Sequence, residues 1–126
     1  LFVCVHNSGR SQMAEAFLRQ IADKTVEATS AGTIPSSEIN PLVTMAMLER
    51  GIDISHNKPK VITQEMVNSA NRIVTMGCYV DESCPAIFIP SEDWGLEDPQ
   101  GKGIEDIRLI RDKIEEKTTL LWAELQ

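Results

Sequence analysis

Residues 2–11 read Phe2-Val3-Cys4-Val5-His6-Asn7-Ser8-Gly9-Arg10-Ser11, and they leave the chain few ways to begin folding. A hydrophobic strand runs into a polar, glycine-containing loop, and a helical pattern follows at once. A cysteine and an arginine stand across the loop with five residues between them, and Ser11 comes directly after the arginine. A strand, curl and helix in that order offer backbone N–H groups and the positive end of a helix to whatever sits in the curl. Phosphate-like oxyanion chemistry at sulfur needs this layout. Cys4 would attack the central atom while the loop N–H groups hold the oxyanion. The planar fork of Arg10 can grip two oxygens. Such surroundings make Cys4 a nucleophile near neutral pH. A lone cysteine is otherwise a small buried hydrophobe, and the polar loop argues against that for Cys4.

The remaining chain alternates strands and helices. Residues 1–5 read as a short buried strand and residues 11–23 as a helix, with Met13, Phe17 and Ile21 recurring every four residues. Residues 26–30 read as a second strand and residues 31–37 as a loop. Asn40 caps a helix that has Pro41 at its first position and Gly51 just past its end. Residues 63–69 suit a brief helix, 72–76 a third strand and 86–89 a fourth. Residues 91–103 read as a polar loop with Pro99, Gly101 and Gly103, and 104–125 as a terminal helix. The alternation predicts an α/β fold, a three-layer sandwich with a four-stranded parallel sheet covered on both faces. No repeat, low-complexity tract or linker interrupts it, so residues 1–126 are expected to form one domain. Ligands bind at the carboxyl ends of strands in such sheets. The loops carrying Cys4, Cys78, Cys84 and Asp98 all leave from that edge, so these residues are expected to meet.

Composition narrows the function classes. The net charge of −7 argues against a nucleic-acid binder, and it means that a local field must catch any oxyanion. The longest apolar runs are too short to cross a bilayer. The residues carry no signal-peptide pattern, and the first strand is expected to begin before Leu1. Three cysteines, an odd number, point away from a fixed disulfide framework and towards reduced thiols in the cytoplasm.

Three other groups carry possible chemistry. Asp98, stiffened by Pro99, suits a general acid that protonates a leaving oxygen. Cys78 and Cys84 flank the polar segment 79–83; their spacing is not a usual zinc pattern, and His6 and His56 do not complete a set. A redox pair fits better, since a flexible loop would let Cys78 reach Cys4 first and Cys84 afterwards. His6 reads as a residue shaping the loop and His56 as surface. Glu105, Asp106, Asp112, Glu115 and Glu116 read as a solvated helix face, balanced by Arg108, Arg111, Lys113 and Lys117.

Taken together, these residues resemble the thioredoxin-coupled arsenate reductases, which share the fold of low-molecular-weight protein tyrosine phosphatases. The resemblance rests on the run from Val3 to Ala16, on Ser30-Ala31-Gly32 and Gly51-Ile52-Asp53-Ile54-Ser55, and on Val74-Thr75-Met76-Gly77-Cys78. It continues through Cys84-Pro85, Asp93-Trp94-Gly95-Leu96-Glu97-Asp98-Pro99 and Gly101-Lys102. It implies that Cys4 attacks arsenate, that Asp98 helps water leave, and that Arg10 and the loop from His6 through Asn7, Ser8 and Gly9 hold the oxyanion. Ser11 would hydrogen-bond the thiolate and Asn7 would fix the loop's shape. Cys78 would then attack Cys4, releasing arsenite, and Cys84 would attack Cys78, leaving a disulfide for thioredoxin to reduce. No tightly bound cofactor is implied, since the electrons come from reduced thioredoxin. Phosphate and sulfate are expected competitors, and neither nucleic acid nor membrane is an expected partner. A monomer is expected. Some members of the resembled group bind potassium through residues matching Asn7, Glu15 and Ser30 plus an acidic residue. That acidic position falls at Lys60, whose ammonium would replace the ion, so no metal site is expected.

The competing reading is a low-molecular-weight phosphatase hydrolysing phosphomonoesters through a Cys4 thiol-phosphate. It needs Cys4, Arg10 and Asp98 but not Cys78 and Cys84, and Tyr79 is the only tyrosine. A thiol-based sensor or metal-binding module would need neither the arginine nor the carboxyl.

Overall fold

The sheet consists of very short strands, all parallel, in a computed structural model that describes residues 1–76 and 92–126. Strand β1 spans Phe2–Cys4, β2 Ser30–Gly32, β3 Val74–Thr75 and β4 Glu92–Asp93. Their order in the sheet is β2-β1-β3-β4, with Phe2 opposite Ser30 on one side and Val74 on the other. Parallel neighbours require crossovers, and helices provide them. Helix α1 spans Arg10–Ile21, α2 Pro41–Leu48, α3 Gln64–Ser69 and α4 Ile104–Leu125.

Side chains alternate across β1, so the strand feeds two cores. Phe2 and Cys4 face a large cluster with Met13 and Phe17 of α1, Val43 and Met47 of α2, and Ile107 and Ile114 of α4. Val3 faces a smaller cluster with Ala31, Ile62, Val67 and Ile73 beneath α3. This is the expected three-layer arrangement.

The capping signal at Asn40 acts as read. The Asn40 side chain accepts from the Leu42 N–H at 3.0 Å, with Pro41 at the first position of α2. The Thr63 hydroxyl accepts from the Met66 N–H at 3.1 Å and starts α3. Helix α4 has the predicted bounds, and α1 begins one residue early, at Arg10.

Two strands differ from the reading. The second was expected at residues 26–30 but forms at Ser30–Gly32, which had read as the start of a loop. Residues 23–25 are held in a tight turn by Asp23, and Arg19 takes the Ala28 carbonyl, so pairing with β1 starts only at Ser30. Gly32 is a steric need: a Cβ there would lie 2.6 Å from the Val5 carbonyl oxygen. The fourth strand expected at 86–89 lies outside the described residues. The described fourth strand, Glu92–Asp93, falls inside the predicted polar loop. Its side chains are exposed at a sheet edge, so polar residues suit it.

The helix face that read as solvated is partly a seam. Arg111 is buried and donates to the Ala46 carbonyl at 2.9 Å and to Glu49 at 2.6 Å. Arg108 grips Glu49 with two nitrogens, and Arg50 reaches Asp112 at 2.8 Å. These bonds tie α2 to α4 rather than one turn of α4 to the next. Hydrogen bonds from Arg108, then Arg111, pull the Glu49 carboxyl from 4.5 down to about 2.

That shift gives a pH dependence with a definite sign. A carboxyl held lower in the folded chain than in the unfolded one stabilises the fold above the unfolded value, and the gain is lost as pH falls through the folded one. The urea midpoint should therefore fall between about pH 4.5 and 2, and Glu49→Gln should flatten that fall. Parallel pH curves for the two proteins would show that the seam is not titrating.

Candidate active site

The curl after β1 is built around Asn7, a buried residue with φ +50. An L-residue in that region is strained, though Asn tolerates it better than most. Every hydrogen-bonding position of its amide is used. Nδ2 donates to Ser11 Oγ at 2.7 Å and to Ser30 Oγ at 3.0 Å. Oδ1 accepts from Gln12 Nε2 at 3.0 Å and from the Lys60 N–H at 2.9 Å.

This network sets the direction of the next bond. Ser11 Oγ accepts from Asn7, so its own proton is free to point at Cys4 Sγ, 2.8 Å away. The Asn7 N–H also donates to Sγ, at 3.2 Å. Cys4 is a buried free thiol with two donors aimed at its sulfur.

The loop carbonyls are turned outwards. Those of Cys4, Val5 and His6 accept from Thr33, Ile34 and Ser36, that of Ser8 from Asn40, and that of Gly9 from Met13. In trans peptides the following N–H groups then point the other way, into the curl. A curl lined by such N–H groups has the form that suits an anion. His6 Nδ1 lies 3.1 Å from the Ile34 carbonyl oxygen, in line with a shaping role, and His56 is exposed.

Arg10 does more than the sequence suggested. Its side chain is buried, and Nη1 donates both to the Met76 carbonyl at the end of β3 and to the Leu96 carbonyl at 2.8 Å. Nη2 lies 3.8 Å from Asp98 Oδ2. The guanidinium thus joins the first loop to the loop after β4. Asp98 is 45% exposed, and its Oδ1 accepts from the Gln100 N–H at 2.9 Å. Of the four residues expected to meet at one sheet edge, Asp98 is brought to the Cys4 loop by its contact with Arg10. Cys78 and Cys84 lie outside the described residues.

Gln12 had no role from residue pattern alone, yet it is buried and bridges Asn7 to the Lys58 carbonyl and Asn57. The available signal was a polar residue on the inward face of α1, between Ser11 and Met13. Glu15 is also buried; it accepts from Ser30 Oγ at 3.2 Å, and Lys60 Nζ lies 3.6 Å from the same oxygen. A potassium ion does not fit this set of residues, because an ammonium already faces the carboxylate. Among the described residues no group of three or more His, Cys, Asp or Glu could hold a metal ion.

Comparison with known proteins places this geometry. The family model described as low molecular weight phosphotyrosine protein phosphatase matches residues 1–126. A putative arsenate reductase of Halobacterium salinarum is 37% identical over 128 aligned positions, spanning 98% of this chain and 89% of the relative. The solved structure of an arsenate reductase in a phosphate-binding state superposes with a TM-score of 0.88 at 33% identity, over 99% of this chain and 96% of that one. A thioredoxin-dependent arsenate reductase of Corynebacterium glutamicum gives a TM-score of 0.78 at 36% identity, over 99% of this chain and 60% of that one.

The Lys60 contact is open to test. Lys60→Met should destabilise the fold by roughly 1–2 kcal/mol in urea titrations. Breaking a fully buried pair costs more, but Lys60 is half exposed and Arg19 remains 4.0 Å from Glu15. The native protein should melt at the same temperature in equal concentrations of potassium and sodium chloride. A rise in potassium alone would show an ion competing for Glu15.

Proposed function

This chain belongs to the low molecular weight phosphotyrosine protein phosphatase family, and we propose that it reduces arsenate to arsenite through a cysteine relay fed by thioredoxin. The finding that carries this reading over plain hydrolysis is its similarity, along almost the whole chain, to proteins named arsenate reductase. The thioredoxin dependence named for the Corynebacterium glutamicum protein supports the electron source.

The chemistry follows from the site. The Cys4 thiolate attacks arsenic and forms an S–As bond. One oxygen takes a proton from Asp98 and leaves as water. The cradle N–H groups and Arg10 hold the remaining oxygens. Cys78 then attacks Cys4 Sγ, and the S–As pair stays on arsenic, which falls from As(V) to As(III) and departs as arsenite. Cys84 attacks Cys78 and frees Cys4, leaving a Cys78–Cys84 disulfide. Reduced thioredoxin returns both thiols and is itself oxidised, so no tightly bound cofactor is needed.

One feature of the fold supports the relay. Arg10 holds the Met76 carbonyl, so the chain leaves β3 beside the first loop. Cys78 is two residues further on in the sequence.

Phosphate and sulfate should compete with arsenate for the cradle. Among the described residues no helix is long and apolar enough to cross a membrane. We place the enzyme in the reducing cytoplasm, acting as a one-domain monomer without nucleic-acid or membrane partners.

The family's own description favours a second reading, hydrolysis of phosphomonoesters through a Cys4 thiol-phosphate. The two separate cleanly. Cys78→Ser should abolish arsenite production with thioredoxin, thioredoxin reductase and NADPH, yet keep any hydrolysis of para-nitrophenyl phosphate. Wild-type protein that hydrolysed aryl phosphates efficiently and never released arsenite would be a phosphatase. Cys84→Ser should complete one turnover and accumulate a Cys4–Cys78 disulfide, visible by mass mapping. Normal multiple turnover in that variant would make the third cysteine structural.

A further inference from the structure

The chemistry above asks a carboxyl on one loop to serve a sulfur on another, and the two loops touch at a glycine. A Cβ placed on Gly9 would lie 2.6 Å from Pro99 Cγ, 3.5 Å from Pro99 Cδ and 3.6 Å from Val43 Cγ2. Carbon atoms in contact sit at about 3.5–4.0 Å, so the first distance is an overlap. Pro99 is buried. Its ring is closed onto its own backbone and cannot swing aside as the tip of a long side chain can. Val43 of α2 backs the same point. An added methyl group would therefore push the backbone of residues 98–100, and Asp98 is bonded directly to Pro99.

A second hold lies two residues before Asp98. Arg10 Nη1 donates to the Leu96 carbonyl at 2.8 Å. The acid loop is thus seated at Leu96 and at Pro99, with Asp98 between. Both holds come from neighbouring residues of the anion loop, Arg10 and Gly9.

We infer that Gly9 is a positioning residue whose missing side chain sets how deeply Pro99 seats, and so how closely Asp98 approaches the oxyanion. This rests on the proposed roles of Cys4 and Asp98 but not on the reductive steps.

The test uses the step that hydrolase and reductase share. With inorganic phosphate, Cys4 forms an S–P bond while one P–O bond breaks, and that oxygen leaves as water with a proton from Asp98. Attack by bulk water reverses the step and inserts an unlabelled oxygen. No electrons move, so no reductant is required. Loss of ¹⁸O from labelled phosphate, read by ³¹P NMR, measures the step.

Gly9→Ala should slow exchange by roughly 10–100-fold, since an ångström of misplacement can cost about that much. Phosphate affinity, measured by calorimetry, should stay within about threefold. The slowing should shrink to about threefold or less in an Asp98→Asn background, where there is no acid to misplace. It should shrink likewise in a Pro99→Ala background, where the ring is gone. Full slowing in either background, or a loss of affinity equal to the loss of rate, would put the effect in the anion loop and overturn the inference. If Gly9→Ala does not fold, Pro99→Ala alone reads the contact from the other side. It should slow exchange when Asp98 is present and not in Asp98→Asn, and equal slowing in both would overturn the inference. Wild-type protein that exchanges no oxygen would remove the Cys4 ester and the proposed function together. Exchange untouched by Gly9→Ala would leave that function standing and remove only the role of Gly9.

Discussion

The site depends on one amide. Asn7 sits in a strained backbone conformation that costs an ordinary L-residue about 1–2 kcal/mol. Four hydrogen bonds of its side chain hold it there, and they reach α1, β2 and the segment around Lys60 at once. A hydroxyl is too small to span these partners, and a carboxylate could not donate to two serines. The same amide orders two chains of donors. One runs through Ser11 to Cys4, and the other through Ser30 to Glu15. Among the described residues no buried side-chain nitrogen or oxygen lacks a partner. Such a closed polar network is rigid, and rigidity is what an anion cradle needs.

The catalytic loop was legible because its chemistry is local. Cys4, Arg10 and Ser11 are close in sequence, between a strand and a helix that hydrophobic periodicity reveals. Asp98 was found from the geometry of parallel sheets, since loops at one edge must converge. The carbonyls that Arg10 holds were not legible. Its contacts with Met76 and Leu96 join residues far apart in the chain, and backbone oxygens leave no mark in a sequence. Gln12 was hidden for a related reason, because its partners lie in three separate segments.

The misread strands have a physical cause. Strand propensity favours branched and aromatic residues. Ser30-Ala31-Gly32 has none, and at Gly32 the anion loop packs too closely for any side chain. Glu92–Asp93 lies at an exposed edge, where its carboxylates meet Arg72 and the Thr75 hydroxyl rather than a core. Arg111 misled in the opposite direction. Its helical spacing places it among acidic neighbours, but its guanidinium crosses to α2 and is buried there.

A net charge of −7 looks hostile to an anion-binding enzyme. The fold resolves this by separating the charges. Much of the acidic surplus faces solvent on α4 or pairs with arginines along the α2–α4 seam. The cradle uses neutral backbone dipoles, which lose nothing to desolvation of a formal charge. Its main formal cation, Arg10, is shared with the scaffold. A nucleophile, an anion grip and an acid are enough for a thiol ester and its hydrolysis. Reduction asks only that a second sulfur arrive at Cys4, and the chain leaving β3 starts towards Cys78 from the carbonyl that Arg10 holds. Arg10 therefore ties the end of β3 to the first loop as well as to the loop that carries Asp98.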